Sequence, residues 1–267
     1  MTRQSLAMLV GGAVVVLASG VVQAAVQTKT VDYEHDGATL QGFFAWDDAV
    51  EGKRPGVLVV HEWWGLDRYA RSRAEQLAKL GYVAFALDMY GKGKLAEHPQ
   101  DAMRMAGEVR ANQETWRKRA LAGLEVLKGH ELVDGKRLAA IGYCFGGSTV
   151  LQLAYAGADL DAGITFHAAL PAPGEEDAKN IRARLLICHG AEDSFIPEEA
   201  AQKFRAALDQ AGADYEMIYY AGARHSFTVP DADARGLEGI KYDEDADLRS
   251  WRQMQITLRE AFGGQRP

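Results

Sequence analysis

Gly142-Tyr143-Cys144-Phe145-Gly146 stands where a short apolar run, 138–142, meets a helix-like one, 148–155. A nucleophile raised on so sharp a strand-to-helix turn crowds its neighbours, so small residues are needed two positions to either side. Gly147 adds further room. The turn also puts Cys144 at a helix N-terminus, where unpaired amides and the helix field favour a thiolate over a thiol. The competing reading is a buried cysteine that acts only as a small hydrophobe.

The rest of the chain repeats this alternation. Runs 28–33 and 40–46 read as strands joined by His35-Asp36-Gly37, and 56–61 (GVLVVH) suits a buried central strand. Residues 68–80 gather Ala70, Ala74, Leu77, Ala78 and Leu80 on one helical side, with Gly81 as terminator. Val83–Leu87, 162–167, 185–189 and Tyr215–Tyr220 are further strands. Helices are predicted over 101–128, with a break near Gly107 or Gly123, and over Glu198–Ala211 and 247–262. Strand, helix, strand at these lengths predicts a mainly parallel sheet with helices on both faces. No linker divides it, so 25–267 reads as one domain.

Partners for Cys144 follow in order. Asp193 lies in a loop after the strand 185–189, and His225 in a loop after Tyr215–Tyr220. Both stand at C-terminal strand ends, where open parallel sheets build their sites. Nucleophile, acid, histidine is the chain order of an α/β-hydrolase. In those roles His225 takes the thiol proton and returns one to the leaving group, while Asp193 orients the imidazole. Glu192 competes with Asp193, since spacing does not separate them. His61-Glu62-Trp63-Trp64-Gly65 follows the central strand, which makes the amides of Trp63 and Phe145 the expected oxyanion hole. Trp63 and Trp64 either wall a substrate pocket or cap the core. Glu62 reads from the residues alone as a solvated loop glutamate; near the sulfur it would instead tune thiolate formation.

Other function classes find little support. The net charge is −7, and the densest basic stretch, Arg117-Lys118-Arg119, shares its segment with Glu114 and Glu125, so no nucleic-acid partner is expected. Gly91-Lys92-Gly93-Lys94 lacks phosphate-loop spacing, and no HExxH or CxxC occurs, so no cofactor and no metal are expected. His61 and His167 read as structural, and no stable protein partner is implied. Arg3, the apolar run 6–22 and Val22-Gln23-Ala24 before Ala25 read as a signal peptide over 1–24 that sends the protein to a periplasm or outside the cell. The rival reading is an uncleaved anchor, which would add a membrane contact.

LVVHEWWGL at 58–66, GYCFGG at 142–147, GAEDSFIP at 190–197 and HSF at 225–227 together resemble the dienelactone hydrolase family, over roughly residues 31–262. The resemblance implies an α/β-hydrolase with a Cys144, Asp193, His225 triad. It makes Glu62 the glutamate that holds the cysteine inactive until substrate displaces it, and Tyr90 an active-site tyrosine. Two carboxylate-binding arginines of that family have no match. Thr228-Val229-Pro230 follows HSF, with Arg235 the next arginine, and Lys92 and Lys94 stand near the other position. The expected activity is therefore hydrolysis of a small carboxylic ester or lactone through a thioacyl intermediate. The alternative is a non-catalytic periplasmic binding or thiol redox-sensing protein, for which Cys144 and Cys188 would be neighbours able to bridge.

Overall fold

The computed structural model describes residues 25–263. The expected signal segment, 1–24, lies outside the described residues. Eight strands form one sheet: β1 Val26–His35, β2 Ala38–Asp47, β3 Arg54–Val60, β4 Val83–Leu87, β5 Val133–Tyr143, β6 Ala162–Phe166, β7 Arg184–Gly190 and β8 Tyr215–Tyr220. Their spatial order is β1-β2-β4-β3-β5-β6-β7-β8. β1 and β2 form the expected antiparallel hairpin, and β2 also runs antiparallel to β4; the remaining pairs are parallel. This is the α/β-hydrolase architecture.

Seven helices, α1 Arg68–Lys79, α2 Pro99–Arg110, α3 Gln113–Lys128, α4 Phe145–Tyr155, α5 Glu175–Lys179, α6 Glu198–Ala211 and α7 Glu244–Ala261, are found among the described residues. The period-2 alternation of the strands sorts side chains between the two layers. Val57 and Val59 of β3 pack with Ala70, Ala74 and Leu77 of α1 and Met254 and Leu258 of α7. Leu58 and Val60 face the other way, among Trp116 and Leu124 of α3, Val150 and Leu151 of α4 and Phe204 of α6. Each such aliphatic side chain contributes about 1.5–3 kcal/mol on burial. A sheet apolar on both faces needs a helix layer on each.

The long helical stretch breaks at neither expected glycine. Asn112 divides it: its side chain accepts from the Thr115 amide at 2.9 Å and caps α3, while α2 begins with Pro99 in its first turn. Gly123 lies inside α3, where a Cβ would come within 2.8 Å of Leu87, so its absence lets helix and sheet approach closely. Among the described residues no helix is long and apolar enough to cross a membrane.

Candidate active site

The turn between β5 and α4 holds Cys144 at φ +52°, a conformation costly for a side chain-bearing residue. Two backbone bonds support it: the Cys144 amide donates to Phe166 at 3.0 Å, and its carbonyl accepts from Ser148 at 3.2 Å. The flanking glycines are required by contact. A Cβ on Gly142 would stand 2.2 Å from the Gly146 carbonyl oxygen, and one on Gly146 would stand 2.2 Å from that of Val60. Cys144 is partly exposed; Phe145, the first residue of α4, is buried.

β7 and β8 deliver the other two groups. Asp193 is buried, with Oδ1 accepting from the Phe195 amide at 3.0 Å and Oδ2 lying 2.7 Å from His225 Nδ1. Glu192, its sequence rival, points outward toward Arg224 at 3.9 Å. His225 is buried, and that burial works to lower its titration point. The charge of Cys144 and hydrogen bonds to Asp193 and Cys144 outweigh it, so the imidazole keeps its proton well above the usual range. Phe195, half exposed, meets the His225 ring edge-on at 5.2 Å.

Glu62 is not a solvated loop residue. It is 4% exposed, and burial raises its carboxyl to about 7, against the lowering effects of His225, a Ser226 hydrogen bond and Arg235. Ser226 donates to Glu62 Oε1 at 2.9 Å. The preceding residue, His61, is structural as expected: the Met89 amide donates to its Nε2 at 3.1 Å, which leaves Nδ1–H to donate to the Glu62 carbonyl. Trp63 is partly exposed, and the Tyr90 hydroxyl donates to its carbonyl at 3.0 Å, bracing the loop from behind. Trp64 is 4% exposed and packs into the core with Arg235 over its ring, so the solvent-facing tryptophan is Trp63.

A cleft of about 520 Å³ opens beside Tyr90, lined also by Lys94, Leu95, Met105, Val109 and Arg119. Lys92 is elsewhere, paired with Asp32 at 2.5 Å. Sequence reasoning did not single out Ser226 or Phe195 within their motifs, nor Arg235 as a neighbour of Trp64. Positive φ at Cys144, His167 and Ser226 marks three corners of this region, but none of these residue types announces it.

The two cysteines are not neighbours. β6 lies between their strands, with Tyr143 paired to Phe166 and Phe166 to Cys188. Two strand spacings come to about 10 Å, beyond the ~7 Å Cα reach of a disulfide. Both thiols are free, and Cys188 is fully buried, which pushes it up to about 12. The bridge expected of a redox sensor is excluded in this conformation.

The family model described as the dienelactone hydrolase family matches residues 40–262. The chain belongs to that family. Among solved structures, this dienelactone hydrolase-like chain is similar to a dienelactone hydrolase-like promiscuous phosphotriesterase from metagenomic libraries. The two are 38% identical with a TM-score of 0.87, over 90% of this chain and 100% of the other. It is also 29% identical to "Protein usf" of Aquifex pyrophilus, over 74% of this chain and 86% of the relative. The protein is a hydrolase of the dienelactone hydrolase family.

Proposed function

We propose that the enzyme hydrolyses small carboxylic esters or lactones through a thioacyl intermediate on Cys144. The observation that carries this reading is the Asp193–His225 pair, 2.7 Å apart and charge-coupled to a sulfur seated at the start of α4. Cys144 attacks the carbonyl carbon, and the developing oxyanion is met by the amides of Trp63 and Phe145, each donor contributing about 3 kcal/mol. His225, which holds its proton firmly, protonates the leaving oxygen. A water then attacks the thioester carbon and gives a proton to His225; the C–S bond breaks, freeing the acid and the Cys144 thiolate, which recovers its proton from Glu62. Asp193 keeps Nδ1 occupied so that Nε2 serves the reaction. Ionised Glu62, in place of the already protonated His225, receives the thiol proton as the site is engaged, which sets the Cys144 thiolate against the His225 imidazolium.

A panel of aryl esters, lactones and aryl phosphotriesters tests this, run with the enzyme and its Cys144→Ala variant. Ester or lactone turnover that vanishes in the variant is expected; equal turnover ends the proposal. Phosphotriesters are a second substrate class for the same thiol, a reading supported by the 38% identical dienelactone hydrolase-like promiscuous phosphotriesterase. The apolar run 6–22 supports export, with cleavage after Ala24. Intact mass of the protein recovered from a periplasmic fraction checks it, and a full-length mass there removes the cleavage.

A further inference from the structure

Beneath Glu62 a line of hydrogen bonds leads away from the site through residues the chemistry above does not use. His167 follows β6 with φ +40° and is fully buried, its ring edge-on to that of His225 at 5.3 Å. Its Nε2 lies 2.8 Å from Thr228 Oγ1, and that oxygen lies 2.6 Å from the Tyr69 hydroxyl. Arg73 Nε donates to the Tyr69 oxygen at 3.1 Å. At the far end Arg73 Nη2 donates to the Thr228 carbonyl at 2.8 Å and to Asp247 Oδ1 at 2.5 Å, which ties α1 to α7.

Arg73 decides the direction of this line. A guanidinium only donates. The Tyr69 oxygen accepts from it, so the phenolic hydrogen turns to the short contact with Thr228. Thr228, receiving that hydrogen, gives its own to His167 Nε2. Burial, with the nearby charges of His225 and Arg73, holds His167 well below the usual imidazole range, so the ring is neutral. A neutral imidazole that accepts at Nε2 carries its hydrogen on Nδ1. That nitrogen is buried without a hydrogen-bond partner, and it faces Glu62 Oε1 at 3.8 Å.

We infer that His167 is a positioning residue for Glu62, locked by the Arg73–Tyr69–Thr228 line as the tautomer whose Nδ1–H faces the Glu62 carboxylate. This rests on the reading of Glu62 as the group that takes the thiol proton. Ser226 serves Oε1 from one side and His167 from another, needing a shift of about 1 Å to reach full hydrogen-bond distance. In the orientation seen here Ser226 alone donates to the carboxylate; with that shift His167 becomes the second donor to its ionised form. The charged and titratable groups around the pair are His225, His189 and Arg73 about His167, and His225, Asp67 and Arg235 about Glu62.

Two measurements on the full chain test it. Long-range proton–nitrogen NMR of the imidazoles, with His167 assigned by its loss in His167→Asn, reads the tautomer directly. The expected spectrum has hydrogen on Nδ1 in the wild type at every pH tested, and a tautomer mixture in Tyr69→Phe. Hydrogen on Nε2 in the wild type, or a Tyr69→Phe spectrum unchanged from it, overturns the inference and leaves the Glu62 reading standing. The second readout is the acid limb of kcat/KM. His167→Gln puts its amide where Nε2 stood and removes the donor facing Glu62, so the limb moves up by about one pH unit. His167→Asn carries an N–H near the Nδ1 position, tolerates positive φ, and returns the limb to its wild-type midpoint. Identical limbs in the two variants overturn the positioning role, whatever each does to stability. A limb that survives in Glu62→Gln removes the Glu62 reading, and the positioning role with it, even where the tautomer is as inferred.

Discussion

Ser226 reaches back across 164 residues to donate its hydroxyl to Glu62 Oε1 at 2.9 Å. That single bond does not offset the burial of the carboxylate, which titrates at about 7 instead of 4.5. Between those values the folded protein holds a proton that the unfolded chain has released, so stability falls as pH rises from about 4.5 to 7. Glu62→Gln cannot ionise. It is expected to raise stability by about 3 kcal/mol above pH 7 and to change little near pH 4.5. Denaturant melts at pH 4.5 and 8 check this, and a gain of equal size at both pH values contradicts it.

The same substitution costs activity. Without a carboxylate to receive the thiol proton, kcat/KM is expected to drop on the order of 100-fold. The wild type is expected to have an acid limb near pH 7, where Glu62 titrates, and the variant to lack it. The measurement is a pH–rate profile on an aryl ester.

Only one of the two thiols is available to reagents. Native protein is expected to take one iodoacetamide adduct, on Cys144, with loss of turnover. Cys188, buried at 0% exposure with the Tyr220 hydroxyl 3.7 Å from its sulfur, reacts only after unfolding. Peptide mass mapping distinguishes them, and native labelling of Cys188 would sink the expectation.

Asp193 and Glu192 are adjacent acids with opposite fates. Asp193→Asn removes the partner that fixes the His225 ring and should lower kcat by about 10⁴-fold, as in the serine triads. Glu192→Gln changes a half-exposed side chain paired loosely with Arg224 and should leave kcat within twofold, or about 0.4 kcal/mol. Parallel kinetics on the two variants decide it.

Gly146→Ala forces a Cβ to 2.2 Å from the Val60 carbonyl, a backbone atom that cannot step aside. A loss of about 3 kcal/mol or more is expected, with turnover lost as the elbow opens. Gly174→Ala meets nothing within 4 Å and serves as the control, within about 0.5 kcal/mol of wild type.

Much of the molecule was legible from local pattern. Val83–Leu87, Glu198–Ala211 and Tyr215–Tyr220 fall where apolar periodicity and a terminal glycine put them, because those signals act within a few residues. The elbow was equally plain, since Gly142 and Gly146 are demanded by atoms of the same turn and of the strand beside it. Glu62 was misread from the residues alone because its exposure depends on Ser226, Arg235 and His167, which arrive from distant strand ends. The bridge between Cys144 and Cys188 failed for a related reason: two cysteines near strand ends look close until strand order inserts β6 between them. Chain-local sterics and periodicity thus wrote the strands, the helices and the elbow at Cys144, with Asp193 and His225 following it in chain order. Only the packing of separate strand ends selected Asp193 over Glu192, buried Glu62 and separated the sulfurs, since burial and hydrogen-bond partnership depend on neighbours in space.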